Sequence, residues 1–370
     1  MKRIWMILCL ILALAQGARA SEHFTVAAKG AVLIDGASGR VLFGQNENAR
    51  YPMASTTKVM TTLLALENAP LDARVTAGKN AAGVTGTSLY LSEGETLSME
   101  HMLYGLMLRS GNDAAVAVAE HIAGSVANFA DLMNARAAEL SADAHYVNPH
   151  GLDAEGHETS ALGLARVMRE ALKNPQFREI TGTKRKIIPW VGNEYSRVLE
   201  NKNRLLTTYE GTTGGKTGFT NRAGRCLVFS ARRDGLELIG AVLNCPTWFD
   251  TAEAMLDYGF EHFRLERAYG PGAAVRAVPV LNGSAAAVNA VADGDLAGAV
   301  PIGGAVDVVV TLPDTLEAPV EAGAVLGTAA LHAGGQTVAQ CNLVAGNAVA
   351  RLDLAEAFKR VLRNWVMLFR

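Results

Sequence analysis

Helical periodicity in this chain is enclosed by two groups of short strands, and that arrangement limits the fold more than any other feature. Residues 30–34 and 40–43 read as strands joined by the turn Asp35-Gly36-Ala37-Ser38-Gly39. From 55 to about 67 the apolar residues Val59, Met60, Leu63 and Leu64 recur at helical spacing, with Pro70 just beyond the end. Further helical patterns cover 98–108, 113–122, 126–140 and 161–173. Strand patterns return at 216–220, 225–231 and 236–244, and a closing helical stretch runs over 248–263. A hairpin, then helices, then strands and a last helix predict an α/β (α+β) domain in which helices flank an antiparallel sheet. After Tyr269-Gly270-Pro271-Gly272 the chain becomes rich in Val, Ala and Gly and sparsely charged, which predicts a small all-β domain over 269–350.

The ends carry a different grammar. Lys2 and Arg3 precede an apolar run over 4–15, and Ala18-Arg19-Ala20 offers small residues where a signal peptidase reads. Residues 1–20 are therefore expected to be a secretory signal peptide; a run this short falls well below the ~20 residues needed to span a bilayer. Near the other end, Leu354, Phe358, Val361, Leu362, Trp365, Val366 and Phe369 recur at helical spacing among Lys359, Arg360, Arg363 and Arg370. That pattern predicts an amphipathic helix over 351–370 lying in a membrane interface, with docking on the protein core as the alternative. The formal charge of −2 then divides into +3 for residues 1–20, +3 for 351–370 and −8 for the body between. The balance excludes a globally basic nucleic-acid binder, and a 49% hydrophobic composition excludes a mostly disordered chain. Of the three cysteines in the mature body, Cys226 and Cys245 flank an Asp234-Gly235 hairpin turn. Counting back from that turn puts them on one face, as two buried thiols or a disulfide; Cys341 stands apart.

Three short motifs carry the chemistry. In Ser55-Thr56-Thr57-Lys58 the hydroxyl and the amine lie at i and i+3 on one helical face and can meet. An amine kept neutral by burial or by a second cation can take the serine proton, although a serine here is also an ordinary helix cap. The helix N-terminus offers backbone N–H groups to an oxyanion. Ser110-Gly111-Asn112 sits between two helical stretches, either as a plain turn or as a second hydroxyl with an amide that can hold a peptide carbonyl. Lys216-Thr217-Gly218 opens a strand after the glycine-rich segment 211–215, which reads as a flexible loop. A Lys-Thr pair at a strand edge can bind a carboxylate, and Gly218 lets a ligand approach the backbone.

Ser-x-x-Lys, Ser-x-Asn and Lys-Thr-Gly in this order form the signature of the serine penicillin-recognising enzymes. The chain resembles the D-alanyl-D-alanine carboxypeptidases, the low-molecular-mass penicillin-binding proteins. The likeness extends through Tyr51-Pro52-Met53-Ala54, Leu108-Arg109-Ser110-Gly111-Asn112-Asp113, Asn148-Pro149-His150-Gly151-Leu152 and Gly215-Lys216-Thr217-Gly218-Phe219-Thr220. It implies a β-lactamase/transpeptidase-like domain over 21–268, followed by the family's β domain and a membrane-anchoring helix. It further implies that Ser55 attacks the peptide bond between two terminal D-alanines of a peptidoglycan stem peptide, with Lys58 as base. Ser110 would relay a proton to the departing D-alanine and Asn112 would hold the substrate amide. Lys216 and Thr217 would bind the terminal carboxylate, with Gly218 in the same strand. The backbone N–H groups of Ser55 and Phe219 would form the oxyanion hole. β-Lactams would acylate Ser55, and the enzyme would work outside the cytoplasm, peripherally anchored to the outer face of the cytoplasmic membrane.

The resemblance implies no cofactor and no metal. His145, His150 and His157 lie beside Asp153, Glu155 and Glu158, a composition able to ligate zinc, but the spacing is not i,i+4 and Pro149, Gly151 and Gly156 make the segment irregular. A class A-like β-lactamase would share the three motifs; its Glu-x-x-Leu-Asn segment is missing between Asn112 and Lys216. A D,D-endopeptidase acting on peptidoglycan crosslinks is an alternative within the same fold, and a catalytically silent wall-binding module is one outside it.

Overall fold

The computed structural model describes residues 24–353 and Phe358. The expected signal peptide at 1–20 and nearly all of the expected C-terminal helix lie outside the described residues.

The strand Gly30–Asp35 is buried along its whole length, as a strand covered on both faces must be. It pairs with Val41–Gln45 on one side and Leu236–Leu243 on the other. Gly224–Arg233 and Thr212–Thr220 complete a five-stranded antiparallel sheet, so that chain ends some 180 residues apart in sequence share one surface. Alternate side chains separate the core into two layers. Val32 and Ile34 face the larger cluster with helices Lys58–Asn68, Asn112–Ala123 and Ala161–Ala171. Ala31 and Leu33 face a second cluster with Trp248–His262.

The helical pattern over 98–108 resolves into Met99–Tyr104 followed by a π-type turn Gly105–Arg109. That turn ends on Ser110, whose backbone is left-handed at φ +67°. Such a conformation is costly for a residue with a Cβ and recurs at functional positions. Several elements carried no sequence expectation, among them the helix Pro175–Gly182 and the hairpin of Arg185–Ile188 with Arg197–Glu200.

The segment 211–215 is not a loop. The strand already begins at Thr212, with Gly214 opposite Ser230 and Gly215 opposite Phe229. Glycine is required there by packing: a Cβ on Gly214 would lie 2.3 Å from the Thr181 side chain, in the helix Pro175–Gly182. The cysteine geometry also departs from expectation. Cys226 belongs to one core layer and Cys245 to the other, because Asn244 takes a left-handed turn at φ +50° and reverses the alternation. Cys226, Cys245 and Cys341 are all free and buried.

Beyond the closing helix, Phe263–Tyr269 pairs with Leu296–Pro301 as a two-stranded ribbon. A six-stranded sheet follows, with its own apolar cluster around Val278, Val288, Leu331 and Leu343. Asp35 ties the two units together: its carboxylate accepts from Ala37 N and Ser38 N in its own turn and from Ala299 N at 3.0 Å. Arg351 still forms a bridge with Gly283, so the chain holds to this unit at the start of the terminal segment.

Candidate active site

The short 3-10 turn Ala54–Thr57 leads directly into Lys58–Asn68. Ala54 has φ +48°, and of the four turn residues only Ser55 is not buried. The hydroxyl of Thr56 donates to Met53 O at 2.6 Å and that of Thr57 donates to Ala54 O at 2.8 Å, which braces the turn from both sides. Lys58 is fully buried. Its Nζ lies 3.0 Å from Ser55 Oγ, 2.8 Å from Asn112 Oδ1 and 2.6 Å from the His150 carbonyl oxygen.

Those partners define the state of the amine. The two oxygens of Asn112 and His150 can only accept. They take two N–H groups, and the remaining position on Nζ points at the serine hydroxyl. Burial, then the charge of Lys216, then that of Lys202 hold Lys58 well below the ordinary lysine pKa. A neutral amine so held has its lone pair free for the Ser55 proton.

Asn112 is oriented by two side-chain contacts and keeps one further acceptor and one further donor site. Its Oδ1 accepts from Lys58 and its Nδ2 donates to Thr85 O at 2.7 Å, so both ends of the amide are engaged. Because Thr85 O is an acceptor only, the orientation of the amide is fixed by its partners. Asn112 thus positions the base through Oδ1, and its remaining donor and acceptor sites are compatible with the expected hold on a substrate amide.

Lys216 reaches into the same space from the middle of its strand. It is 1% exposed, and its Nζ donates to Ser110 Oγ at 3.1 Å and to Thr217 O at 2.9 Å. Burial, helped by Lys202, lowers its pKa to about 7. Ser110 Oγ therefore accepts from a lysine and keeps its own proton for donation. Thr217 lies beside these groups, 7% exposed.

Gly218 has a different use from the one its residue type suggested. A Cβ there would lie 2.9 Å from Ser55 N and 3.0 Å from Met53 O. What packs against it on the Cβ side is the nucleophile turn of the protein itself. The contact brings the strand residues 217–219 against the backbone of Ser55. Phe219 is 60% exposed, and its main chain continues the strand that packs on the nucleophile turn.

The floor of the site was not legible in the sequence as chemistry. Gly151, at φ +89°, presses on the nucleophile turn so closely that a Cβ would meet Ala54 O at 1.9 Å. Asn148 Oδ1 accepts from Gly151 N at 2.7 Å and so shapes the turn that offers the His150 carbonyl to Lys58. The neighbouring histidines are scaffold groups. His157 Nδ1 accepts from Val147 N at 3.0 Å, which leaves the proton on Nε2 to donate to Thr57 Oγ1 at 2.8 Å. His150 Nδ1 accepts from Leu152 N, and His145 Nδ1 meets Gly156 O. Burial pushes His150 to about 3 and His157 to about 4, so both are neutral at physiological pH. Asp113, beside Asn112, accepts from Leu89 N and Leu91 N at 3.0 Å and anchors the loop that carries Thr85 and Thr87.

Comparison with known proteins gives the same direction along the whole body. A family model described as D-alanyl-D-alanine carboxypeptidase matches residues 16–247, and one described as penicillin-binding protein 5, C-terminal domain, matches 263–351. D-alanyl-D-alanine carboxypeptidase DacF of Bacillus subtilis is 32% identical over 361 residues, covering 94% of this chain and 92% of its own. DacA of Escherichia coli is 31% identical over 338 residues, covering 85% of this chain and 81% of its own. Among solved structures, penicillin binding protein 5 from Haemophilus influenzae superposes with a TM-score of 0.78 at 29% identity, over 89% of this chain and 99% of that one. A D-alanyl-D-alanine carboxypeptidase from Mycobacterium tuberculosis gives 0.62 at 33% identity, over 66% and 95%.

Proposed function

The chain belongs to the D-alanyl-D-alanine carboxypeptidase family, and from that premise we propose how its own residues carry the reaction. It is a serine carboxypeptidase of the penicillin-binding type. The observation that supports the assignment of roles is the triple contact of Lys58 Nζ with two acceptors and the Ser55 hydroxyl.

Ser55 Oγ attacks the carbonyl carbon of the bond between the two terminal D-alanines while Lys58 Nζ takes its proton. The negative charge that develops on the carbonyl oxygen is received by the N–H groups of Ser55 and Phe219. Ser110 passes its proton to the departing amine and is reprotonated by Lys216 across their 3.1 Å contact, while Lys58 releases the proton it took to solvent. The terminal D-alanine leaves, and an ester joins the shortened peptide to Ser55. Water then attacks that ester with Lys58 as base, restoring the serine. Lys216 and Thr217 bind the free C-terminal carboxylate, which confines the enzyme to chain ends. A β-lactam enters by the same attack but leaves its ring-opened body on Ser55.

The substrate on this reading is a peptidoglycan stem pentapeptide. Residues 1–20 act as an export signal, and residues 351–370 hold the enzyme at the outer surface of the cytoplasmic membrane. The domain limits are those of the sequence pattern, with the peptidase unit over 21–268 and the β unit over 269–350.

Intact-mass analysis after incubation with a penicillin tests the assignment of the nucleophile. The wild-type chain gains the mass of one penicillin and Ser55→Ala gains none; an adduct that persists in the variant would overturn it. Removing residues 353–370 is expected to move the protein from the membrane to the soluble fraction with acylation retained. Unchanged fractionation would discard the anchoring role.

A further inference from the structure

A second cavity opens beside the serine site. It has a volume of about 210 Å³ and is walled by Ser88, Leu89 and Tyr90, by Arg109, and by the hairpin residues Trp190 and Ser196. It is continuous with the site along two pieces of chain. Arg109 immediately precedes Ser110, and the loop that ends in Ser88–Leu89–Tyr90 begins with Thr85 and Thr87, whose carbonyls hold Asn112 at 2.7 and 2.8 Å.

The walls are rigid. Arg197 and Glu95 form a buried bidentate pair at 2.6 and 2.9 Å. The same guanidinium donates to Leu89 O at 2.8 Å and to Tyr90 O at 3.2 Å, and it stacks 4.9 Å over the Trp190 ring. Arg197 is thereby neutralised and spent on structure. Tyr90 is held at φ +59° with 67% of its surface exposed, an arrangement that places an aromatic ring at the rim at a conformational cost.

Arg109 differs from Arg197 in having no counter-ion among the described residues. It is exposed, and among the described residues its side chain makes no hydrogen bond and no ion pair. The charge it acts on is Lys202, another cation, whose pKa is lowered first by burial and then by Arg109. An exposed guanidinium lining a cavity, with a second cation close enough to feel its charge, favours an anion arriving from outside.

We propose that this cavity is a specificity subsite for a carboxylate-bearing residue of the peptide substrate, read by Arg109. The inference rests on the carboxypeptidase reading. A terminal D-alanine has a single carboxylate, and Lys216 and Thr217 account for it. A second carboxylate must therefore belong to a residue upstream of the D-Ala-D-Ala unit. The guanidinium fork suits such a group, and the faces of Tyr90 and Trp190 suit its methylene stem.

The test uses the full chain and two synthetic peptides ending in D-Ala-D-Ala. They differ only in whether the residue before that unit carries a side-chain carboxylate or its carboxamide. Wild-type kcat/KM is expected to favour the carboxylate about tenfold, mainly through KM. Arg109→Gln should erase the preference while leaving the carboxamide peptide and penicillin acylation within about twofold of wild type, and Arg109→Lys should restore part of it. Equal rates on both peptides in the wild type, or an equal loss on both in Arg109→Gln, would overturn the subsite. Failure to release D-alanine from either peptide would instead overturn the reading on which it rests.

Discussion

The two units of this protein bury apolar side chains alike but treat polar ones in opposite ways. The peptidase unit encloses Lys58, Lys216, Arg197, Glu95, Asp35 and Asp113. Among the described residues beyond Thr251, no polar or charged side chain is buried, and the β unit is held by Val278, Val288, Leu331, Leu343 and their neighbours. Burying a cation costs several kcal/mol unless its surroundings compensate. The first unit accepts that cost where the enclosed groups meet one another around Ser55, brace loops or, at Asp35, tie the two units together. Burial lowers the proton affinity of both lysines, and the same burial suits one of them to act as a base. The β unit, with nothing comparable to hold, has an interior of apolar side chains and keeps its polar contacts at the surface.

The contrast can be broken most severely at Lys58. Lys58→Ala removes the base and leaves Asn112 Oδ1 and the His150 carbonyl without their donor, so acylation by penicillin should fall by about 10³-fold or more. A loss under tenfold would show that another group takes the serine proton. Gly218→Ala comes next, because its Cβ would sit 2.9 Å from Ser55 N and displace the nucleophile turn. The acylation rate should drop about a hundredfold with an unchanged circular dichroism spectrum. Lys216 sharpens the comparison through pH. With a pKa of about 7, it is protonated below that value and neutral above it, so carboxylate binding weakens as pH rises. Wild-type kcat/KM for a D-Ala-D-Ala peptide should decline above pH 7, and Lys216→Arg, which stays charged, should lose that decline whatever its absolute rate. The smallest catalytic effect is expected in the other unit. Leu331→Ala should cost about 2–5 kcal/mol of β-unit stability by denaturant melting, yet leave acylation within about twofold. A parallel loss of acylation would mean that the two units are not energetically separate.

The sequence made the scaffold plain wherever a long periodic pattern met an unambiguous stop. The hairpin Gly30–Asp35 with Val41–Gln45, the helix Trp248–His262 and the strand Leu236–Leu243 all follow their apolar spacing. The helix Pro175–Gly182 escaped notice because it is two turns long and buries only Phe177, Ile180 and Thr181. Its signal was local: Asn174 as cap, accepting from Gln176 N and Phe177 N, with proline in the first turn. The hairpin Arg185–Ile188 with Arg197–Glu200 offers four residues a side and a long connection, too little for an alternation to declare itself. The site residues were legible as types, since Ser55, Lys58, Ser110, Asn112, Lys216 and Thr217 do converge. What each touches was not. The donor set of Lys58 includes a main-chain oxygen at His150, which no residue type announces. Gly214, Gly215 and Gly218 look like freedom in a sequence and turn out to be close packing.

The protonation state of Lys58 in the free enzyme bears most directly on this chemistry. An NMR titration of lysine side chains, with the Lys58 signal assigned by its loss in Lys58→Arg, measures it. Lys58 should titrate far below the ordinary value of 10.5 and be neutral when the enzyme acylates. Titration at or above 10.5 would contradict a lysine base and return Ser55 to an ordinary hydroxyl.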